Sequence, residues 1–131
     1  MTWIPDAYLD LIKDESKALC SLATLMKDGS PQLTPVWFNT DGKHILINSA
    51  SGRVKDRNMR RNPNVAVMII DPRDPYRYIQ IRGKVIEITT QDARQHINAL
   101  SKKYTGRDIF ISESSDEIRV IYKILPEKIS T

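Results

Sequence analysis

The sequence has little cysteine and little histidine, which excludes two kinds of small protein. Its 131 residues include one cysteine, Cys20, and two histidines, His44 and His96. One cysteine forms no disulfide within the chain, and these three residues are too few for a structural zinc site. Cys20 lies in an apolar segment, so we expect a buried small side chain rather than a nucleophile. We therefore predict no bound metal and a fold that depends on a hydrophobic core.

Long apolar runs are missing as well. No window approaches the ~20 apolar residues of a membrane-spanning helix, and the first residues lack the basic and apolar regions of a signal peptide. We therefore expect a cytoplasmic protein with no membrane partner. Hydrophobic residues make up 40% and charged residues 27% of the chain, as in ordinary globular domains. At this length, residues 1–131 are expected to form a single domain.

The net charge of +4 is concentrated in one short segment. Five basic residues and one acid, Asp56, lie between Gly52 and Asn62, so this segment alone accounts for the whole net charge. The usual companions of a nucleic-acid interface are missing, namely paired aromatic residues at RNP-like spacing, a GxxG loop and a basic tail. We therefore predict no nucleic-acid partner and a smaller anionic ligand.

Hydrophobic periodicity predicts a mainly β protein of the α+β class, with six or seven antiparallel strands and two or three short helices. Pro35 interrupts the second strand, which predicts an edge position or a bulge, and Gly83 predicts a bend in a long strand. Strands and turns in this order indicate a barrel or a strongly curved sheet with helices over its open ends. The predicted strands are 18–26, 32–38, 44–48, 65–70, 78–88 and 118–125, and the predicted helices are a short opening helix, 52–62 and 90–104.

The segment from Asn48 to Asn58 combines small residues with a run of positive charge. A predicted strand ends there in hydroxyl residues and a glycine, and a basic helix follows. Small side chains let backbone N–H groups approach an anion, a helix N-terminus attracts negative charge, and Arg53 and Lys55 add direct contacts. Ser51 is expected to cap the helix. A helix whose charges only face solvent is the alternative, and the turn of small residues favours the phosphate group of a small cofactor.

The segment from Pro35 to Phe38 is a second candidate for ligand binding. An interrupted strand leaves backbone groups unpaired beside large apolar side chains, which suits a flat heteroaromatic ring. Trp37 is the stronger candidate, and Phe38 is expected to pack in the core. Tyr76 and Tyr78 flank an arginine, a combination typical of a dimer interface.

Catalysis by side chains alone is not predicted. Both histidines lie in a turn or on a helix without an evident carboxylate partner, and we expect them at the surface. No side chain is singled out as catalytic. If the protein is an enzyme, a cofactor is expected to perform the difficult chemical step.

Three segments together resemble a known family. Residues 34–38 (TPVWF), 48–58 (NSASGRVKDRN) and 71–83 (DPRDPYRYIQIRG) resemble the pyridoxamine 5'-phosphate oxidase-like proteins, whose fold is the FMN-binding-like split β-barrel. More closely, they are similar to the class B flavin/deazaflavin oxidoreductases that use coenzyme F-420. The resemblance covers essentially the whole chain. The oxidases proper carry a basic C-terminal substrate-binding motif that residues 125–131 lack, so we expect an activity other than vitamin B6 oxidation.

The resemblance implies a homodimer with two cofactor sites at the subunit interface. The implied activity is hydride transfer from reduced coenzyme F-420 to a small conjugated or unsaturated acceptor. An FMN-binding oxidoreductase and a non-catalytic flavin or deazaflavin carrier are the two alternatives. The implied cofactor-binding residues are Arg53 and Lys55 at the phosphate, helped by Ser49, Ala50, Ser51 and Asn58, then Val36 and Trp37 at the ring, and Tyr78 and Gln80 from the partner chain.

Overall fold

All strands of the described part of the chain, residues 3–112 and 114–131, join one antiparallel sheet in the computed structural model. This confirms the mainly β, split-barrel prediction, with seven strands. The strands are β1 (Cys20–Leu25), β2 (Pro31–Val36), β3 (Phe38–Thr40), β4 (Ile45–Ala50), β5 (Asn64–Asp71), β6 (Asp74–Thr89) and β7 (Arg119–Ser130), and the helices are two 3-10 helices (Asp6–Ile12 and Asp14–Ser16), α1 (Val54–Arg61) and α2 (Ala93–Thr105).

The order of strands brings the two edges of the sheet together. The order is β2-β1-β5-β6-β7-β4-β3, so β2 and β3 are the edge strands. Only Trp37 separates them along the chain, so the sheet must curve until its edges meet at this residue. Pro35 was expected to mark an edge strand or a bulge, and β2 is indeed at the edge. Pairing with β1 continues through Pro35 to Val36, so the interruption comes at Trp37 instead.

The long strand β6 organises the centre of the sheet because it pairs with both β5 and β7. Its buried side alternates as predicted through Ile79, Ile81, Gly83 and Val85. At Gly83 the register with β7 shifts, and a Cβ there would lie 2.3 Å from the carbonyl oxygen of Leu125. Only glycine fits this close approach, and the predicted bend corresponds to this β-bulge.

Helix α1 packs polar side chains inward, which its sequence pattern did not predict. Met59 is buried as expected, but Val54 is partly exposed, and Asp56 and Asn58 are buried instead. Asp56 accepts hydrogen bonds from the Gly52 N–H, Arg60 and the Tyr122 hydroxyl. The N-cap residue of α1 is Arg53, and no side chain of the described residues caps the helix, so the prediction that Ser51 caps it is wrong.

Helix α2 follows the predicted apolar stripe, and Ala93, Ile97 and Leu100 are buried. It ends at Gly106, whose φ of 79° is the left-handed conformation that glycine adopts readily. Among the described residues, none of the helices is long and apolar enough to cross a membrane.

Candidate functional site

A cavity of about 350 Å³ lies beside the junction of β2 and β3. It brings together five residues that the sequence predicted as cofactor-binding, although they come from two separate segments of the chain, 34–38 and 48–58. These five are Val36, Trp37, Ser49, Arg53 and Lys55. The remaining lining residues are Leu19, Pro35, Asn48, Ile97, Phe110 and Arg119.

One wall of the cavity is a fixed aromatic surface. The Trp37 indole stacks on the Tyr104 ring at 5.4 Å between centroids and 12° between planes, and Phe110 meets its edge at 6.1 Å. The Tyr104 hydroxyl donates a 2.7 Å hydrogen bond to the carbonyl oxygen of Ala18, and the Phe38 N–H donates to it at 3.4 Å. Burial raises the pKa of Tyr104. Helix α2 therefore holds Trp37 in place at the point where the sheet edges meet.

Another wall of the cavity carries three cations, Arg53, Lys55 and Arg119. Burial lowers the pKa of Lys55, and the neighbouring charges of Arg53 and Arg119 lower it further. The Glu117 carboxylate accepts a hydrogen bond from Arg119 and lies 3.9 Å from Arg53. Positive charge therefore exceeds negative charge on this wall, and an anion placed there would be stabilised.

Behind the cations lies a buried chain of hydrogen bonds. Arg119 Nε donates to Asn48 Oδ1 at 2.9 Å, Asn48 Nδ2 donates to His96 Nδ1 at 3.0 Å, and His96 Nε2 lies 2.8 Å from Asn39 Oδ1. These partners assign the neutral imidazole with its proton on Nε2. Burial, together with the charge of Arg119, lowers the pKa of His96 to about 4.

The prediction of a surface position for His96 is therefore wrong, because this residue is only 9% exposed. It lies outside the apolar stripe of α2, but its face of the helix packs against the asparagines of β3 and β4. Sequence reasoning missed Asn48, His96 and Arg119 as a connected group. No local pattern indicated this group. Arg119 reaches the cavity because β7 pairs with β4, where Arg119 lies opposite Ala50, and this pairing cannot be predicted from either strand alone.

Ser49 is a buried polar group without a partner. Its side chain is 2% exposed, and its hydroxyl makes no hydrogen bond with any residue of the described chain. A buried hydroxyl left unpaired is destabilising by about 1–3 kcal/mol, so a ligand atom is a natural partner for it. Ala50 and Ser51 instead line an adjoining cleft with Gly52 and Arg53, and Glu117 lies across that cleft.

Three other predicted site residues lie outside the cavity. The Asn58 amide is buried, donates to Thr24 Oγ1 at 3.1 Å and accepts from Arg61 at 2.8 Å. Tyr78 and Gln80 are exposed on the outer face of β6. The roles assigned to these three residues, contact with the phosphate and contact across a dimer interface, stay predictions.

The remaining reactive side chains belong to the structural part of the molecule. Cys20 is buried as expected, and burial raises the pKa of its thiol to about 12. His44 hydrogen bonds to Asp41 at 2.9 Å, a carboxylate partner within its own turn. Among residues 3–112 and 114–131, no three His, Cys, Asp or Glu side chains come together in a way that could hold a metal ion.

Comparison with known proteins supports the resemblance read from the sequence. The family model for pyridoxamine 5'-phosphate oxidase matches residues 4–131. A solved structure described as an F420 reductase is 33% identical, with a TM-score of 0.83 over 97% of this chain and 98% of that chain. A conserved hypothetical protein from Mycobacterium tuberculosis shares the fold at 24% identity, with a TM-score of 0.73 over 96% of this chain and 82% of that chain. The chain therefore belongs to the pyridoxamine 5'-phosphate oxidase family and has its split β-barrel fold.

Proposed function

We propose that this protein is an oxidoreductase that binds coenzyme F-420 and transfers a hydride to a small conjugated or unsaturated acceptor. The observation that carries the proposal is the cavity beside Trp37, which is lined both by an aromatic wall and by a wall with an excess of positive charge. A flat ring that bears a phosphate on its tail matches both walls at once. The similarity to a protein described as an F420 reductase adds support.

The residues of the cavity fit such a cofactor. The unpartnered Ser49 hydroxyl is a donor that a phosphate oxygen would satisfy, and Arg53 and Lys55 supply charge-assisted contacts. The stacked Trp37 ring is a rigid apolar surface of the kind on which a tricyclic ring packs. Polar donors and flat apolar surface thus occur together in one cavity.

The cofactor, when bound, would supply the hydride chemistry, and the protein would position it. Arg53, Lys55 and Ser49 would hold the phosphate group, and Val36 and Trp37 would support the ring. Leu19 and Ile97 line the same cavity and would exclude water from the reacting face. The described residues that line this cavity include no carboxylate and no imidazole, so we propose that any proton comes from water.

The proposed site is completed by a second copy of the chain. The outer face of the sheet presents Tyr78 and Gln80 beside half-buried small side chains such as Ala23 and Ala66, and a cavity of about 560 Å³ lies on this face. A second copy packed there would bring its Tyr78 and Gln80 toward this chain's cofactor. We expect light scattering to give twice the formula mass of 15.0 kDa. A monomer that still binds cofactor tightly would contradict this arrangement.

Two alternatives share the same cavity. FMN carries a phosphate and a flat ring that the same residues would hold, so an FMN-dependent oxidoreductase is the first alternative. A carrier that binds the cofactor without catalysis is the second, and the lack of a carboxylate or an imidazole among the described lining residues favours it. The visible spectrum and mass of the small molecule extracted from purified protein distinguish the two cofactors.

Substitution of Trp37 separates the enzyme from the carrier. We expect Trp37→Ala to lower the rate of hydride transfer about tenfold or more while changing cofactor affinity less, because other residues make the phosphate contacts. Stopped-flow oxidation of the pre-reduced, protein-bound cofactor with quinones, enones and tetrapyrroles measures the rate. An equilibrium titration of the same proteins measures the affinity.

Two matched variants control this experiment. Trp37→Phe keeps a flat ring at the cavity and is expected to retain most of the rate, whereas Trp3→Phe changes the other tryptophan, which packs against the core. Oxidation that proceeds at the same rate with every acceptor, or no turnover in the parent protein, would contradict the oxidoreductase and favour the carrier.

A further inference from the structure

We propose that Arg119 is a second anion-binding residue of this site, and that a phosphate oxygen binds between Arg53 and Arg119 in competition with the Glu117 carboxylate. The proposal deepens the function proposed above and rests on it for the identity of the ligand. It adds a residue that the sequence analysis did not single out.

The first observation is that two arginines share one carboxylate oxygen. Oε1 of Glu117 accepts a hydrogen bond from Nη1 of Arg119 and lies 3.9 Å from Nη2 of Arg53. A carboxylate held between two guanidinium groups marks a position where an anionic oxygen is favourable. A phosphate oxygen has the same charge and acceptor geometry, so it would compete for the same position.

The second observation is that Glu117 cannot neutralise the wall by itself. Arg53, Lys55 and Arg119 line one cavity, and within the described residues Glu117 is the one carboxylate that lies within 4 Å of a charged nitrogen of these three. Three positive charges and one negative charge leave this wall with a net excess of positive charge, and within the described residues Lys55 has no carboxylate in contact. Ser49, which is 2% exposed, lines the same cavity, and its hydroxyl has no partner among the described residues. This is an independent indication that a ligand provides a hydrogen-bond acceptor there.

The third observation is that Arg119 is held rigidly, as a recognition group must be. Its side chain is 5% exposed, its Nε donates to Asn48, and its guanidinium lies 5.1 Å from the centroid of the Phe110 ring. Asn48 is oriented in turn by His96. A guanidinium fixed in this way binds an oxyanion without losing further side-chain entropy.

Phe110 also connects this position to the proposed ring site. Its ring contacts the guanidinium of Arg119 on one side and meets the edge of Trp37 at 6.1 Å on the other. The anion position and the aromatic wall therefore share a common neighbour. One ligand with an anionic group and a flat ring would contact both.

The test measures affinity in the full-length protein, with inorganic phosphate, FMN and coenzyme F-420 as separate probes at constant ionic strength. We expect Arg119→Gln to weaken binding of phosphate and of the cofactor about tenfold, the loss of one charge-assisted contact. We expect Glu117→Gln to strengthen binding of both by about fivefold, because a competing charge is removed. The opposite signs of the two effects distinguish competition from simple structural damage.

Glu87→Gln is the matched control for the change of charge. Glu87 pairs with Lys123 at 3.2 Å between β6 and β7, away from the cavity, and its substitution should change neither affinity. If Arg119→Gln does not fold, as judged by circular dichroism, Arg119→Lys and Glu117→Gln decide the question. Arg119→Lys keeps the charge without the planar fork and should weaken binding about threefold.

The outcomes separate this inference from the proposed function. Unchanged affinities in both Glu117→Gln and the Arg119 variants, with a parent that binds cofactor, would overturn the inference and leave the function standing. A parent that binds phosphate with the expected shifts, but neither cofactor, would support the anion position and overturn the proposed function. A parent that binds none of the three probes would overturn both.

Discussion

Two groups of charged residues in this protein differ in how their cations are paired. Around Arg77, the guanidinium donates to Asp10 at 2.6 Å and to Asp71 at 2.9 Å and lies 5.0 Å from the centroid of the Tyr8 ring. Its hydrogen bonds with Asp10 and Asp71 raise the pKa of Arg77. Each charge in this group therefore has an opposite charge in contact, and we refer to these residues as the Arg77 cluster.

The wall of the cavity shows the opposite balance. Three cations line it, Glu117 is the one described carboxylate in contact with any of them, and it reaches only Arg53 and Arg119. The unpartnered Ser49 hydroxyl lines the same cavity. The Arg77 cluster attaches the first 3-10 helix to the hairpin of β5 and β6, so its role is structural. The difference between the two groups shows when a cluster of arginines indicates a ligand site. It does so where the carboxylates are fewer than the cations and a cavity lies beside them.

The largest expected effect comes from reversing a charge in the cavity. We expect Lys55→Glu to lower cofactor affinity about hundredfold, ~2.7 kcal/mol, since a charge-assisted contact contributes about 1.5–3 kcal/mol and repulsion replaces it. Titration calorimetry measures the change. The matched reversal is Arg73→Glu, at a mostly exposed side chain 3.9 Å from Asp71 of the Arg77 cluster, and it should leave affinity within about twofold.

A second variant completes this comparison. Arg77→Gln removes the partner of Asp10 and Asp71, so we expect a lower thermal midpoint and an unchanged cofactor affinity. Equal affinities for Lys55→Glu and the parent would exclude Lys55 from the anion site. A loss of affinity in Arg77→Gln would show that the two groups do not act independently.

The two groups should also respond to acid over different ranges of pH. Burial holds the pKa of His96 near 4 in the folded protein, below its value of about 6.5 in the unfolded chain. The unfolded state binds the proton first, so this contribution to stability falls as the pH falls from about 7 to 4. Between pH 7 and pH 5 the expected loss is about 2 kcal/mol in the free energy of unfolding, measured with urea.

The control for this prediction is the other histidine. His96→Gln should reduce the difference between pH 7 and pH 5, and His44→Gln should retain it. In the Arg77 cluster, the hydrogen bond from Arg77 lowers the pKa of Asp10. The contribution of Asp10 to the free energy of unfolding is therefore still present at pH 5, and it is lost as the pH falls below the ordinary pKa of a carboxyl group. An unchanged slope in His96→Gln would contradict a buried neutral imidazole.

The smallest expected effect concerns the support of the aromatic wall. Tyr104→Phe keeps the ring that stacks on Trp37 but removes the hydroxyl that bonds to Ala18. We expect a loss of about 1 kcal/mol in the free energy of unfolding, one hydrogen bond, with cofactor affinity unchanged. Urea unfolding and a cofactor titration measure the two quantities. A large fall in affinity would mean that the hydroxyl, rather than the stacked ring, positions Trp37.

Much of the fold could be predicted because local patterns carried it. The alternation of apolar residues in β6, the stripe of α2 and the glycines at Gly83 and Gly106 each report a local requirement of the backbone. The last strand is longer than predicted and continues to Ser130. Its final residues pair with Arg82 and Gln80 across the sheet, and their own sequence shows little alternation, so the extension could not be read locally.

The sequence by itself determined the curved antiparallel fold and the segments from which the cavity is built, because periodicity, small residues and local charge are properties of neighbouring positions. Only the tertiary structure decided that Arg119 faces Arg53 through Glu117, that His96 is buried against Asn48, and that Asn58 points inward to Thr24. These contacts join residues at least 34 positions apart, except for the pair of Arg119 with Glu117. They depend on which strands become neighbours in the sheet. The order of the strands is decided by the burial of apolar surface over the whole sheet, and no single segment determines it.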